Sequence, residues 1–394
     1  MVNQSSKIKF LHAADFHLGS PFTALSAYKA AIRQGEQRAA FQAVIGLCRQ
    51  EQIQLLLLAG DILDHLRFPA EHLRSLIDSF AGIPDTMVVI APGNHDPFTK
   101  DSPYMTQKWP LNVHIFTGEF SSFSFPELGA VVWGAAFTGI RAVNTLCPST
   151  FSARQSGYPE DTIHIVLMHG EITESPSEKR SYNPVPKTWI AKSGADYAAL
   201  GHVHDRSGLC KAGNTFYAYP GCPESRGFDE PGPLGVYLGT IARGAVEILF
   251  IPVNRRNYYC PDIAVDGCDT QQQLEDRVLS FLSSSYGEEY TRAAYRITLS
   301  GALPPDFSPV LSSLRERLSS IVFDVRVKDH TRSFSNLEEL RRETSLKGAF
   351  VGRLLDRMEQ ARAAGDAKLI EECSQALTVG LRAFEGEVNY SEDQ

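Results

Sequence analysis

The sequence predicts an α/β protein in which two β-sheets pack face to face and helices cover their outer surfaces. Two observations lead to this fold class. Short apolar runs alternate with helical patterns through about the first 255 residues, and five of these runs end directly in a polar segment. Because loops at strand ends often carry a functional site, we expect the polar segments to gather at one edge of the sheets.

The expected strands are short runs rich in leucine or β-branched residues. Those that precede a polar segment are residues 8–12, 55–58, 87–90, 163–168 and 197–200. Helical patterns cover residues 28–50 and 69–80. Further strands with hairpin turns, one of them near Gly244, are predicted within residues 123–137, 215–219 and 234–250.

A second unit is predicted to begin near Asn254, where the strand pattern of the first unit ends. A small α+β module follows, with helices at residues 271–283 and 308–320 and strands at residues 294–299 and 321–327. Two amphipathic helices joined by a turn at residues 364–366 complete the chain. Their apolar faces carry Val351, Leu354, Leu355 and Met358 on the first helix and Leu369, Cys373, Leu377 and Leu381 on the second. We therefore expect three parts, residues 1–255, 256–335 and 336–394.

Composition and charge limit the cellular setting. The chain has 394 residues, 43% of them hydrophobic, and seven scattered cysteines without a Cys-x-x-Cys pair, which favours a reducing cytoplasm. We expect neither an export segment nor a membrane span, since the apolar run at residues 55–59 is too short to cross a bilayer. The net charge of -8 means that a DNA substrate would need positive potential from bound metals, a local patch or a partner.

Five polar segments in a fixed order predict a two-metal phosphoesterase site. Each alone is weak evidence, because an Asp or His at a strand end is often a turn residue. Their ordered combination is strong evidence. The segments are Asp15-Phe16-His17, Gly60-Asp61, Gly93-Asn94-His95-Asp96, His169-Gly170 and Gly201-His202-Val203-His204.

One carboxylate is expected to be shared between the metals, and a second is expected to bind one ion. Two divalent ions about 3.5 to 4 Å apart need a bridging carboxylate, and together they activate a water molecule and polarise a phosphoryl oxygen. Asp61 is the natural bridge. Asp15 and His17 are two residues apart, so in an extended segment both side chains leave on one face and hold a single ion.

The remaining ligands are histidines and one amide. His202 and His204 have the same spacing, roughly 6.6 Å along a strand, which allows one to bind each metal. Asn94 and His169 complete the shell of the second ion. No thiolate takes part, so manganese, or alternatively iron, suits the site better than a structural zinc.

His95 and Asp96 are the predicted catalytic residues. His95 follows a ligand in a tight loop and can point away from the metals to protonate the leaving oxygen of the substrate. Asp96 is expected to accept a hydrogen bond from His95 and to fix its tautomer.

These segments resemble the calcineurin-like metallophosphoesterase superfamily over about the first two thirds of the chain. The resemblance implies a β-sandwich flanked by helices and a complete set of metal ligands. It implies one ion on Asp15, His17, Asp61 and His204, and the other on Asp61, Asn94, His169 and His202.

A narrower resemblance is to the SbcD-type DNA repair nuclease subunits, in particular their YhaO-like bacterial branch. It is carried by residues 12–22, by Gly60-Asp61-Ile62-Leu63-Asp64, by Tyr219-Pro220-Gly221 and by Arg226-Gly227-Phe228-Asp229-Glu230. It implies manganese-dependent exonuclease and endonuclease activity on DNA together with an SbcC-like coiled-coil ATPase. The α+β module would then be a DNA-recognition cap and the helical tail an ATPase-docking segment, and a homodimer stays open.

Some residue roles stay open at this point. Archaeal and eukaryotic relatives have a catalytic histidine where Asp64 stands, and His65 is one place out of register. Arg226 is either a contact to a substrate phosphate or an ordinary surface arginine. The histidines outside the motif are expected to be packed or solvated rather than ligands; they are His12, His65, His72, His114, His164 and His330.

Two alternative functions compete with the nuclease. A small-molecule or cyclic-nucleotide phosphodiesterase would use the same metals in a closed pocket instead of an open groove, and it would have less need of the module after residue 255. A non-catalytic structural subunit would recruit a partner through the tail. The complete ligand set argues against that last class.

Overall fold

The computed structural model describes residues 7–66, 68–174, 182–304, 307–333 and 337–384. The chain divides into two compact units, Met1–Tyr258 and Tyr259–Gln394. The first unit contains two six-stranded sheets with helices packed on them, which confirms the predicted α/β fold class. The predicted boundary at residue 335 lies outside the described residues.

The elements of the first unit follow the predicted order. Its strands are β1 Ile8–Ala13, β2 Leu55–Leu58, β3 Met87–Ile90, β4 Val113–Ile115, β5 Ser121–Phe125, β6 Ala130–Gly134, β7 Ile163–His169, β8 Glu171–Thr173, β9 Pro184–Pro186, β10 Tyr197–Gly201, β11 Cys210–Ala212, β12 Thr215–Ala218, β13 Gly235–Ala242 and β14 Ala245–Pro252. Its helices are α1 Ala27–Gln50, α2 Ala70–Ala81, α3 Pro103–Thr106 and α4 Lys187–Lys192.

Parallel strands form the centre of both sheets. The first sheet has the order β14-β13-β1-β2-β3-β4, with β1 to β4 parallel and β13 antiparallel to β1. The second has the order β11-β12-β10-β7-β6-β5, with β12, β10, β7 and β6 parallel. The carboxyl ends of parallel strands meet at one edge of a sheet, so the polar segments after β1, β2 and β3 lie together, as do those after β7 and β10.

The four leucines of β2 show why the central strands are continuous apolar runs. Leu55 and Leu57 point into the core between the two sheets, where they lie in one cluster with Phe10 and Ile165. Leu56 and Leu58 point the other way and belong to the cluster that includes residues of α1 and α2. Both faces of the strand are covered, so no polar residue interrupts it.

The second unit is an α+β module followed by helices. Its elements are β15 Tyr258–Tyr259, β16 Asp262–Ala264, α5 Gln271–Tyr286, β17 Ala294–Ser300, β18 Ala302–Leu303, α6 Leu311–Ser319, β19 Asp324–Asp329, β20 Arg332–Ser333, α7 Leu337–Arg342, α8 Leu346–Ala364 and α9 Ala367–Phe384. Strands β16 and β19 pair in parallel with β17 on either side.

Two details of this unit differ from the prediction. The strand expected from residue 321 begins only at Asp324, because the amides of Ile321 and Val322 both donate to the carbonyl oxygen of Leu318, at 2.9 Å, and close the end of α6. A short helix, α7, precedes the two predicted tail helices. The turn between those helices is at Gly365, whose φ of 71° gives the left-handed end that glycine favours.

Candidate metal centre

The predicted ligands converge where the carboxyl ends of β1, β2, β3, β7 and β10 meet. The segments after β1 and β2 run side by side, since the amide of Asp15 donates to the carbonyl oxygen of Gly60 at 3.0 Å. The amide of His17 donates in the same way to Asp61 at 2.9 Å. These bonds hold two donor-bearing loops in register.

Most donor loops have a backbone conformation that the sequence did not indicate. Asp15, His17, Asp61 and His202 have φ angles of 55°, 47°, 51° and 99°, in the region that residues with a Cβ rarely adopt. The expected extended segment at Asp15 and His17, and the expected strand through His202, are therefore wrong. Strand β10 ends at Gly201, and the left-handed residues turn the donors inward. Such strain, about 1–3 kcal/mol per residue, is typical of functional sites.

One donor cluster consists of Asp15, His17 and His204, whose ligand atoms all lie within 4.8 Å of one another. The Nε2 atoms of His17 and His204 are 3.2 Å apart. His204 Nε2 is 3.8 Å from Asp15 Oδ1, and His17 Nε2 is 3.8 Å from Asp61 Oδ2. The second carboxylate therefore borders this cluster as well.

A second cluster consists of Asp15, Asp61 and His169, with the same limit of 4.8 Å between ligand atoms. His169 Nε2 is 3.4 Å from Asp61 Oδ2 and 3.0 Å from Asn94 Oδ1. The ring of His202 packs 5.1 Å from the ring of His169. Asp61 thus has an oxygen close to histidines of both clusters, as a bridging ligand requires.

The outer nitrogen of each central histidine faces an acceptor. His169 Nδ1 is 2.8 Å from the carbonyl oxygen of Ala59, and His204 Nδ1 is 2.6 Å from Glu230 Oε1. His17 Nδ1 is 3.3 Å from Asp64 Oδ1. At His169 and His204 these acceptors place the ring proton on Nδ1 and leave the lone pair of Nε2 directed into the cluster, which is the usual arrangement of a metal-ligating histidine. His17 Nδ1 lies within ion-pair distance of Asp64 but makes no hydrogen bond to any residue that the structure describes.

The donor set therefore fits two divalent cations. With the ring proton of His204 on Nδ1, the lone pair of its Nε2 is directed at His17 Nε2, 3.2 Å away, and a cation between the two nitrogens would be bound by both. The candidate ligands are carboxylate oxygens, an amide oxygen and imidazoles, without a thiolate, which are donors that divalent metal ions accept.

Charge couples the buried groups. Burial works to lower the pKa of His169, but Asp61 and Asp15 outweigh it and raise the pKa to about 9. Burial works to raise the pKa of Asp61, but the imidazoles of His169 and His17 hold it well below its usual range. Positive charge is therefore strongly favoured between these residues, and a cation that replaces the histidine proton gains the same attraction.

Asp96 has a different place from the one predicted. Its carboxylate accepts hydrogen bonds from the amides of Asp61, Ile62, Leu63 and Gly93 at 2.7 to 3.1 Å and from the hydroxyl of Tyr104 at 2.6 Å. The expected hydrogen bond from His95 does not agree with this geometry, because His95 bonds elsewhere and these donors occupy Asp96. Asp96 instead ties the loop after β2 to the loop after β3, so it positions Asp61.

His95 lies at the mouth of the site with 39% of its side chain exposed. Its amide donates to Asp61 Oδ1 at 2.9 Å, and its Nδ1 is 3.0 Å from the carbonyl oxygen of Asp64. The ring packs edge-on against His17, with the ring centroids 4.6 Å apart. The residue is anchored through the ligand loop, and its Nε2 is the nitrogen left for a substrate.

Asp64 and Glu230 contact predicted site residues, although the sequence assigned neither of them a role. Asp64 Oδ1 lies near His17 at 3.3 Å and near His95 and Arg226 at 3.7 Å. Arg226 also lies 3.4 Å from Glu230 Oε1, and its amide donates to Glu230 Oε2 at 2.6 Å. Both acids lie in segments that carried the family resemblance. Only the structure shows that Asp64 lies beside His17 and that Glu230 lies beside His204.

The glycines at Gly60 and Gly93 allow these close approaches. A Cβ at Gly60, whose φ is +87°, would lie 2.5 Å from His169 Nδ1, and a Cβ at Gly93 would lie 2.2 Å from Asp61 Oδ1. Side chains at either position would displace a donor.

The histidines expected to be packed differ clearly from the donors. His12 is fully buried between the sheets, 2.9 Å from the hydroxyl of Tyr197 and 3.1 Å from the carbonyl oxygen of Leu200. Burial lowers its pKa to about 3. His164 Nδ1 accepts a hydrogen bond from the indole of Trp133 at 3.2 Å.

The fold and this donor set define a metallophosphoesterase. The model of the calcineurin-like phosphoesterase family matches residues 8–206, which is half of the chain and includes every predicted ligand. The chain belongs to this family, whose members use divalent metal ions, and the resemblance drawn from the motifs is confirmed.

Individual relatives are about a quarter identical to this chain over the residues that align. It is 26% identical over 359 residues to the uncharacterized metallophosphoesterase YhaO of Bacillus subtilis, which covers 84% of each protein. It is 26% identical over 272 residues to the DNA double-strand break repair protein Mre11 of Methanopyrus kandleri, 62% of this chain and 57% of that protein. It is 25% identical over 257 residues to the SbcD subunit of the nuclease SbcCD of Bacillus subtilis, 57% of this chain and 64% of that protein.

Within the part of the chain that the structure describes, no helix has the length and apolarity needed to span a membrane.

Proposed function

We propose that this metallophosphoesterase is a DNA nuclease, which hydrolyses phosphodiesters with two divalent ions, most suitably manganese and otherwise iron. The similarity to Mre11 and to the SbcD subunit of SbcCD supports this substrate. In the same proposal it acts in the cytoplasm with an SbcC-like coiled-coil ATPase, its α+β module contacts DNA and its last helices dock on the ATPase. YhaO, the relative that matches over the greatest length, leaves the substrate open.

One observation supports a phosphodiester substrate that has a large group on each side of the phosphate. Asp64 lines two pockets, one of about 590 Å³ that includes His204 and Arg226 and one of about 660 Å³ that includes Asn94 and His95. The donor cluster thus has substantial space on two sides. A phosphate held there has room for a substituent in each direction, as an internal phosphate of a polynucleotide requires.

The chemistry assigns distinct tasks to the residues. Two divalent ions, when bound, polarise the phosphoryl oxygens and lower the pKa of a water molecule. The predicted ligands would hold them, and Asp96 keeps Asp61 in place; these ligands are Asp15, His17, Asp61, Asn94, His169, His202 and His204. His95, with Nδ1 held by Asp64, would give the Nε2 proton to the departing oxygen. Arg226 would bind a phosphate oxygen from the 590 Å³ pocket.

The net charge of -8 supports a partner in DNA binding. Neutralising DNA phosphates supplies most of the non-specific affinity of nucleic-acid proteins, and an acidic chain does not provide it by itself. Bound metal ions and a few arginines at the site would hold the scissile phosphate, while the ATPase would supply the extended contact.

The test is cleavage of end-labelled linear duplex and single-stranded DNA by the purified chain with manganese, beside the His95→Asn variant and an aryl phosphodiester. We expect DNA cleavage by the unaltered chain and its loss in the variant with both ions still bound. Hydrolysis of the aryl diester without any DNA cleavage, also after addition of the ATPase, would refute the nuclease and favour a small-substrate phosphodiesterase. Loss of metal from the variant would mean that His95 is structural.

A further inference from the structure

The 660 Å³ pocket has an outer wall that the proposed chemistry does not use. Its inner side is formed by residues of the site, Asp64, Asn94 and His95. Its outer wall is formed by His65, Leu66, Pro97, Ile140, Arg141 and Tyr182. The volume lies within the range of about 300–1,000 Å³ that is usual for small-molecule sites.

Apolar and aromatic groups are presented to this pocket instead of being packed away. Ile140 is 72% exposed, although an isoleucine is usually buried. Tyr182 lies against His202, with ring centroids 5.0 Å apart and an angle of 38° between the rings. An aromatic ring is therefore held directly beside a predicted metal ligand, and the branched apolar side chain of Ile140 lines the same pocket. Flat apolar ligands such as nucleobases are bound by surfaces of this kind.

The same wall carries a cation. Arg141 is exposed, and it forms no ion pair with any residue that the structure describes. Its guanidinium is thus available for a ligand. Guanidinium groups match phosphate oxygens in geometry and charge. The pocket combines a planar apolar surface and a phosphate-binding group next to a phosphoesterase centre.

We propose that this pocket is a nucleotide subsite of the enzyme. It holds the nucleoside attached to the departing oxygen, with the base against Ile140 and Tyr182 and the following phosphate on Arg141. His95 lines this pocket and is the proton donor to that oxygen, which assigns the pocket to the leaving side of the scissile bond. The inference rests on the proposed nuclease function, and it adds the class of group that the leaving side accepts.

The test compares a single-stranded trinucleotide with bis(4-nitrophenyl) phosphate, which has neither a base nor a second phosphate. The variants are Arg141→Gln and Ile140→Ser in the full chain with manganese. The control is Arg243→Gln. Arg243 lies in the turn after β13, and β13 pairs there with Ile8, the first residue of β1, so the turn is at the edge of the sheet opposite to the donor residues. We expect Arg141→Gln to lower kcat/KM for the trinucleotide about tenfold, the effect of one lost charge-assisted hydrogen bond.

Ile140→Ser should lower kcat/KM for the trinucleotide about threefold. Arg141→Gln should not change hydrolysis of the aryl diester more than about twofold, because that substrate has no second phosphate. The control should match the unaltered chain on both substrates. If the unaltered chain cleaves the trinucleotide and Arg141→Gln cleaves it equally well, the subsite is wrong and the nuclease stands. An equal loss on both substrates would make Arg141 a structural residue and would also overturn the subsite. If the unaltered chain hydrolyses only the aryl diester, the nuclease function fails, and the subsite with it.

Discussion

His169 and His204 lie on two sides of the same donor cluster, yet the protein holds them in different ways. The side chain of His169 is completely buried, and its Nδ1 faces a backbone carbonyl oxygen, that of Ala59. The side chain of His204 is 25% exposed, and its Nδ1 faces the carboxylate of Glu230. A backbone acceptor cannot be removed by a side-chain substitution, whereas a carboxylate can. A side-chain substitution can therefore change the acceptor of His204 without changing that of His169, but the reverse substitution does not exist.

The comparison also shows what joins the two sides. His169 is the last residue of a strand of the second sheet, and its acceptor Ala59 follows a strand of the first. Asp15, at the end of β1, accepts a hydrogen bond from the amide of His202 at 3.0 Å, again from one sheet to the other. Each donor cluster contains residues from both sheets. A substitution of a carboxylate that borders both clusters is therefore expected to weaken the binding of both ions.

The largest effect is expected from Asp61→Asn, which removes the charge that both clusters share. We expect loss of both ions and a fall in aryl diester hydrolysis on the order of a thousandfold or more. Metal content per chain and kcat/KM are the measurements, with the exposed Asp85→Asn as the control. Two tightly bound ions in the variant would contradict the bridging role of Asp61.

Gly93→Ala tests the same shared point through packing. The new Cβ would lie 2.2 Å from Asp61 Oδ1 and 2.7 Å from the Asp61 nitrogen, so the carboxylate must move. We expect weaker binding of both ions and a loss of about 1–3 kcal/mol in the free energy of unfolding. Metal titration and denaturant unfolding measure these effects. Gly46→Ala in α1, where nothing lies within 4 Å of the new Cβ, is the control and should be neutral or slightly stabilising.

Glu230→Gln should separate the two sides. The substitution removes the negative charge of the acceptor that orients His204 and makes the ring a weaker ligand, so we expect one of the two ions to bind about 10- to 100-fold more weakly while the other is retained. Titration calorimetry with manganese would resolve two classes of site in the variant. Glu247→Gln, on the exposed strand β14, should leave both ions unchanged. Equal weakening of both ions would show that the two sides are not independent.

The smallest effect concerns His12, which is as deeply buried as His169 but has no carboxylate beside it. Its pKa is lowered to about 3 by burial, while the unfolded chain has the ordinary value near 6.5. The unfolded state therefore binds a proton first as the pH falls. The contribution of His12 to stability is complete above about pH 6.5 and is lost progressively between there and pH 3, by up to about 1.4 kcal/mol per pH unit.

Denaturant unfolding at pH 7.0, 6.0 and 5.5, with a chelator present to keep the protein free of metal ions, measures this loss. The His12→Gln variant should be less stable at pH 7 but should lose less stability on acidification than the unaltered chain. Because the other titrating groups are common to both proteins, their effect cancels in the difference. An identical pH dependence would mean that His12 does not titrate as a buried neutral histidine.

The sequence predicted most of the fold because its strands have one composition on both faces. Strand β2 consists of four leucines because a sheet covers one of its faces and helices cover the other, so the strand can be recognised from its own residues alone. The strand expected at residue 321 was placed too early, since Ile321 and Val322 are β-branched but close a helix by hydrogen bonds to Leu318. Composition does not distinguish an apolar helix end from the start of a strand.

Asp96 and Glu230 show the same limit in the site. Asp96 adjoins His95 in sequence, which suggested an orienting role, but its carboxylate turns to four backbone amides and Tyr104. Glu230 lies 26 residues after His204 and still meets its Nδ1 at 2.6 Å. Neighbours along the chain need not be neighbours in hydrogen bonding, because the side chain follows the backbone conformation of its loop.

The sequence by itself determined the family and the fold class, and it predicted the donor residues and their order at the strand ends, because ligand chemistry restricts which residue types can stand at those positions. Only the tertiary structure decided which nitrogen of each histidine faces the centre and which acids lie beside the histidines. It also decided that Asp15, His17 and His202 have left-handed backbone conformations instead of extended ones. These properties depend on contacts between segments from two sheets. No local pattern encodes such contacts, since they exist only when the sheets have packed.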